Sequence, residues 1–241
     1  VEFLHNKRRY CLWLVNAPTE VLSLPYVSQR IEGCKIMRLE SRDPGCNRLA
    51  SRPHEFRDVN NPVSALAVPS VSSERRKYIP MGVITGDTIA TNLVHIIPHA
   101  SLYHFGILTS AMHMGWMRTV CGRLKSDYRY SRDLCYNTFP WPSATEKQQQ
   151  HIESLAQTVL DVRETYPELT LAQMYSPETM PQPLQDAHTA LDIAVDRLYQ
   201  NKPFADDEQR LQLLFTLYAK LVKQNPGAQA DYTDEEESED D

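Results

Sequence analysis

Glycine is scarce in this chain: eight residues in 241, with no cluster among them. That excludes the glycine-rich turns whose backbone amides cradle phosphates, and no P-loop, GxSxG elbow or HExxH run occurs. Cysteine is rare, odd in number and scattered over Cys11, Cys34, Cys46, Cys121 and Cys135, with no CxxC. Such usage fits reduced cytosolic thiols better than a disulfide framework or a zinc cage. No stretch approaches the roughly 18 apolar residues of a membrane span. Lys7, Arg8 and Arg9 sit beside an apolar run too short for a signal peptide. A cytoplasmic location without a membrane partner is expected. The chain opens on Val1 rather than Met, which suggests a piece of something longer. No internal repeat stands out at any fixed period.

Charge is unevenly spread. Residues 1–142 hold 18 Lys and Arg against 11 Asp and Glu, a net of +7; residues 143–241 hold 7 against 20, a net of −13. A basic half joined to an acidic half points to polyanion binding by the first, with ordinary surface imbalance as the plainer explanation. The segment 231–241 (DYTDEEESEDD) carries eight acidic residues and is expected to be disordered.

The stretch 101–142 organises the rest. Leu102, Phe105, Leu108, Met112 and Trp116 recur at three- and four-residue steps, which predicts one long, largely buried helix with Ser101 as N-cap and Gly122 as stop. Met112, Met114, Trp116 and Met117 read as core at that spacing. Arg123, Lys125, Arg129 and Arg132 follow, interleaved with Tyr128 and Tyr130, and a strand is expected over Tyr130–Phe139. Upstream, strands are expected at Tyr10–Val15, Val63–Val68, Tyr78–Ile84 and Thr91–Ile97. A helix is expected over Leu24–Arg42, with Val27, Ile31 and Cys34 inward, Ile36 or Met37 extending that surface, and Arg30, Lys35 and Arg38 more exposed. Downstream the period is helical only: Thr145–Thr165, a short Thr170–Tyr175, Pro183–Tyr199 and Asp206–Gln224. The fold class expected is α+β: a mixed strand and helix domain with a long buried helix (1–142), a small all-α helical bundle (143–228) and a disordered acidic tail (229–241).

Three groups of residues could carry chemistry. Arg123, Lys125 and Asp127 alternate, and in an extended segment that period places all three on one face. Arg and Lys donate to guanine O6 and N7 while Asp accepts from cytosine N4, so a mixed face suits base reading where an all-basic one would only hold phosphate. Ser73, Arg75, Arg76 and Lys77 form a cationic, hydroxyl-bearing run that is either suited to clamping phosphates or simply a hairpin tip. Arg48 and Arg52 lie in an irregular, Arg-rich loop that either approaches a polyanion or is plain solvent loop. Ser70, Thr91 and Asn92 are further base-contact candidates by their position near strand ends. Tyr128, Arg129, Tyr130 and Ser131 belong to backbone contact or to structure. His95, His99, His104 and His113 cluster in sequence, but His95 and His99 straddle a strand end and Pro98 rather than a helix face, so structural histidines and no metal are expected. Glu74, Asp127 and Asp133 are isolated acids in basic surroundings, read as orienting partners for arginine rather than nuclease carboxylates.

The run GRLKSDYRYSRDLCYNTFPWP, with FGILTS and the helix before it, resembles the C-terminal part of MmeI-like DNA methyltransferases. The upstream EFLHNKRRYCLWL and SSERRKYIP and the downstream AHTALDIAVDRLY extend the resemblance over nearly the whole chain except the tail. It implies a DNA target recognition domain followed by a helical C-terminal domain. It implies a parent that binds S-adenosylmethionine and methylates adenine N6 after flipping the base, sometimes fused to a nuclease. The segment 123–127 is among those it implicates in base choice. Such an enzyme needs a glycine-rich turn after its first strand and an Asn or Asp before Pro-Pro-aromatic. Asn60–Val63 and Asn137–Trp141 are near-misses that read as turns. No cofactor and no catalytic residue are therefore expected here; duplex DNA and the parent's methyltransferase domain are the expected partners. Two other classes stay open: a structural or protein-interaction module, and the recognition domain of an RNA-modifying enzyme. A free-standing metal nuclease would need activity that vanishes with chelator.

Overall fold

The structure is a computed structural model that describes residues 3–224. It divides into two compact units: residues 8–61, and residues 3–7 together with 62–224. The expected disordered tail lies outside the described residues.

The smaller unit is helical. Helix α1 (Thr19–Leu22) leads into α2 (Pro25–Glu40), which has Pro25 in its first turn, where a missing amide costs nothing. Asp43 caps α3 (Pro44–Arg48), accepting from the Gly45 and Cys46 amides at 2.7 and 3.1 Å. Three expectations fail here. Tyr10–Val15 forms no strand, since no described strand pairs with it and the Leu14 carbonyl instead accepts from the Ala17 amide in a turn; Tyr10 is exposed and Trp13 stacks on Phe56 at 5.6 Å. Arg38, expected outside, is buried: its guanidinium donates to the carbonyls of Leu49, Arg52 and Glu55 at 2.8, 2.9 and 2.7 Å. One arginine thus ties down the loop after α3, while Ile36 and Met37 remain exposed.

The larger unit holds two three-stranded antiparallel sheets and six helices among the described residues. Strands β1 (Ser64–Pro69), β3 (Gly82–Thr85) and β4 (Val94–Pro98) form the first sheet, ordered β3-β1-β4. β1 is central, with Ala65–Val68 all buried. β2 (Val71–Ser72), β5 (Gly122–Leu124) and β6 (Asp127–Arg129) form the second, ordered β2-β6-β5. Of the strand expected at Tyr78–Ile84 only the end forms. The strand expected over Tyr130–Phe139 is instead a single π-helical turn, Arg132–Tyr136, capped by Ser131.

The expected long helix is broken in two, α4 (Leu102–Leu108) and α5 (Ala111–Val120). Thr109 and Ser110 turn their hydroxyls back onto the Phe105 and Ile107 carbonyls, and Ser110 then caps α5. Ser101 is the N-cap, accepting from the Tyr103 amide at 3.2 Å. Residues Ala111–Met117 are all buried. The helices α6 (Glu146–Glu164), α7 (Leu171–Met174), α8 (Gln182–Tyr199) and α9 (Asp207–Gln224) complete the unit. Thr145 and Thr170 start α6 and α7 with capping boxes.

Close packing runs from α4 through α6 to α8. Gly106 is the point of nearest approach: a Cβ there would lie 2.7 Å from Ile152 Cγ2 and 3.4 Å from Ala156 Cβ. Gly106→Ala is expected to destabilise by about 1–3 kcal/mol despite its better helix propensity, because the crossing must open. A lower urea midpoint would record it; an unchanged one would show that Ile152 can move aside.

A buried polar network crosses the same core. Asp192 accepts from Tyr78 Oη and from the Ala111 amide, both at 2.7 Å, and so caps α5 from α8. His188 stacks on Tyr78 with ring centroids 4.2 Å apart and bonds Tyr175 Oη through Nε2 at 2.7 Å. Arg163 donates to Tyr175 Oη and, at 2.7 Å, to the Met81 carbonyl just before β3. Residues before and after position 143 therefore share one core.

Candidate nucleic-acid interface

The second sheet sets the geometry. β5 and β6 form a hairpin in which Arg123 faces Tyr128 and Leu124 faces Asp127. The turn is Lys125–Ser126, with Lys125 held at a φ of 57°, the left-handed region that favours glycine. The single extended face expected for Arg123, Lys125 and Asp127 is thus folded back on itself. Cross-strand partners share a face, so Arg123 lies with Tyr128 and Ser72, while Asp127 lies with Leu124 on the other side. Lys125 occupies the tip, exposed.

Neighbouring loops converge on this hairpin. The loop 73–77 follows β2, the partner of β6. Its Glu74 amide donates to Asp127 Oδ1 at 3.3 Å, and its carboxylate stands 3.5 Å from Arg123. Half-buried Arg76 has its pKa pulled down by desolvation and partly restored by the Asp127 charge. Arg75 pairs with Glu178. Lys77 is anchored through its carbonyl, which accepts from Arg118. Ser70 bridges the two sheets: its amide donates to the Leu93 carbonyl at 3.0 Å and its carbonyl accepts from the Tyr130 amide at 2.7 Å. Exposed Thr91 and Asn92 therefore lie in the turn beside Ser70.

The candidates thus separate into groups. Glu74 joins the run Ser73–Lys77 to Arg123 and Asp127 of the hairpin that carries Lys125, while Ser70, with Thr91 and Asn92 in the turn beside it, lies where the two sheets meet. Tyr128 and Tyr130 are buried; Tyr130 Oη contacts His113 Nε2 at 3.0 Å, so of the two roles open to them the packing matches structure. The Ser131 hydroxyl is taken up in accepting from the Leu134 amide at 3.1 Å. Arg129 is exposed on the face of Asp127. Arg48 and Arg52 belong to the other unit. Arg48 is exposed, whereas Arg52 binds Glu55 at 3.0 Å and the carbonyls of Phe56 and Arg57.

The acids behave as orienting partners: Glu74 faces Arg123, and Asp133 binds Arg132 at 2.9 Å. Nothing in the sequence singles out Glu178, an acid in a polar turn about a hundred residues away from the arginine it meets, Arg75. The histidines scatter. His104 completes the cap of α4, His95 contacts the Tyr130 carbonyl at 3.1 Å and His113 is buried. Among the described residues no three His, Cys, Asp or Glu side chains gather as a metal site. No described helix is long and apolar enough to cross a membrane.

A basic hairpin and a cationic loop thus stand on a core that the C-terminal helices share. Comparison with known proteins agrees. The family model described as "MmeI, target recognition domain" matches residues 1–143, and "MmeI, C-terminal domain" matches 144–225. The chain belongs to the MmeI family. A relative named DNA methyltransferase A, from Bacillus subtilis (strain 168), is 47% identical over 225 residues, 92% of this chain and 26% of that protein. The solved type IIL restriction-modification enzyme MmeI in complex with DNA superposes with a TM-score of 0.88 at 42% identity, over 92% of this chain and 30% of that one. The chain thus spans between a quarter and a third of the length of these relatives.

Proposed function

We propose that this chain reads a short duplex DNA sequence on behalf of a restriction-modification methyltransferase. The observation that carries the reading is the β5–β6 hairpin. It projects Lys125 and Asp127, a donor beside an acceptor, from a turn flanked by the cationic 73–77 loop. A two-stranded ribbon fits the major groove, where Lys suits guanine O6 and N7 and Asp suits cytosine N4. Ser73, Arg75, Arg76 and Lys77 hold phosphates and set register without reading sequence. Arg129, and Arg48 in the smaller unit, add backbone contacts; Ser70, Thr91 and Asn92 supply further base contacts. That the solved relative is a complex with DNA supports duplex DNA as the ligand.

The residues here do not fit S-adenosylmethionine: no described strand runs into a glycine-rich turn. Methyl transfer to adenine N6 belongs to a partner methyltransferase domain, in line with the named relative, and the complex acts in the cytoplasm.

Selection from a random duplex library tests the reading. An enriched short motif, bound with a steep salt dependence, is the expected result. Enrichment of nothing would favour a protein-interaction module. Within that assay, Asp127→Ala is expected to relax preference at one base pair by about tenfold. Arg75→Ala should weaken every sequence alike and lower the salt slope by about one. Its exposed pairing with Glu178 holds Arg75 only weakly against a phosphate. Equal losses across all bases for both variants would sink this division of labour.

A further inference from the structure

Arg123 looks from the sequence like a base reader, but its surroundings suit another task. Its Nη1 donates to the Ser126 carbonyl at 2.8 Å, closing the turn from inside. Its guanidinium lies 3.9 Å from the ring centre of buried Tyr128, the residue opposite it in the hairpin. The Glu74 carboxylate holds it from the neighbouring loop at 3.5 Å. Both polar contacts use Nη1 and the Tyr128 ring covers one face, so the hairpin and the neighbouring loop, rather than a base edge, set where the guanidinium sits. The same three contacts brace the Lys125–Ser126 turn, whose left-handed φ at a lysine has a cost that something must offset.

We infer that Arg123 is a positioning residue: with Glu74 it locks the turn that carries Lys125 and Asp127, and ties that turn to the phosphate-holding loop. Glu74 engages both sides of the hairpin, Arg123 through its carboxylate and Asp127 through its amide. A phosphate bound at 73–77 therefore fixes the height and angle at which Lys125 and Asp127 meet the bases. This rests on the DNA-reading proposal above.

The test is duplex selection and anisotropy with the full chain, comparing Arg123→Ala, Arg123→Lys, Glu74→Gln, the double variant Arg123→Ala with Glu74→Gln, Lys125→Ala and Asp127→Ala. Arg123→Ala is expected to lose about tenfold in affinity for the selected motif, with affinity for a scrambled duplex unchanged. Its preference should soften together at the positions that Lys125→Ala and Asp127→Ala relax singly. Glu74→Gln should act in the same direction, the double variant should be no worse than Arg123→Ala, and Arg123→Lys should recover part of the loss. Relaxation by Arg123→Ala at one further base pair of its own would make it a direct reader and overturn the inference. Equal loss on motif and scrambled duplex would reduce it to plain stability and overturn it too. A wild-type chain that enriches no motif would instead overturn the DNA-reading proposal itself.

Discussion

Arg163→Met is expected to lower stability by about 3 kcal/mol, and the melting temperature by roughly 6–12 °C for a chain of this size. The side chain is buried, and its cationic head is met by neutral groups: Tyr175 Oη, the Met81 carbonyl at 2.7 Å, and the rings of Phe105 and Tyr175 at 5.2 and 4.8 Å. Hydrogen bonds to a charged donor contribute about 1.5–3 kcal/mol each, and a buried carbonyl left bare costs about 1–3. Methionine fills most of the volume but returns none of those bonds. The damage should not stay local, because Met81 leads into β3 and Tyr175 also holds His188 against Tyr78. Tyr175→Phe should therefore be strongly non-additive with Arg163→Met, since each removes the other's partner. Urea unfolding of both singles and the double variant measures this. A loss under about 1 kcal/mol for Arg163→Met would mean that methionine packs the site and that the bonds add nothing net.

That network also marks where the sequence could be read and where it could not. The stripe Leu184, His188, Leu191, Val195 is visible as a period of three and four, and α8 buries all four side chains. Ile152 and Val159 announce α6 in the same way. Periodicity, however, says only that a face is inward. It cannot say that Asp192 and Arg163, polar letters on buried turns, find partners more than eighty residues away. It also runs straight through the α4–α5 break, because Thr109 and Ser110 interrupt the backbone without interrupting the apolar face. Tyr10–Val15 has strand composition but no strand beside it, and composition cannot supply a partner. The candidate interface was legible as a segment, 123–127, and its hairpin was not. No Asn-Gly or Gly pair marks the turn, and Lys125 takes up its left-handed φ in a turn braced through tertiary contacts from Glu74 and Tyr128.

Acid is expected to unfold the larger unit over a window set by three buried groups of opposite sign. His113 is completely buried, with Tyr130 Oη on Nε2, the edge of Phe139 at 4.6 Å and no partner for Nδ1, and burial holds its pKa down at about 3. His188 is pushed down in the same way by burial, with the Arg163 and Lys77 charges adding to it. Each stays neutral in the folded chain while an unfolded histidine protonates near 6.5. The unfolded state therefore binds more protons, and each histidine removes about 1.4 kcal/mol of stability per pH unit as pH falls below 6.5. Asp192 opposes them. Burial raises its pKa to about 6, so between about pH 6 and 4 the folded state takes the extra proton and gains a similar amount. The two histidines together outweigh Asp192, so the sum is a net loss as pH falls from 6.5 to 4, steepening below pH 4 once Asp192 is fully protonated in both states. His113→Gln, which keeps a polar group near Tyr130 but does not titrate there, should be less stable at pH 7 and much flatter in acid. Asp192→Asn should do the reverse between pH 6 and 4, making the loss steeper by removing the only opposing group of the three. Urea midpoints at half-unit pH intervals separate the two, and parallel profiles for both variants and the parent would show that these side chains do not set the acid limit.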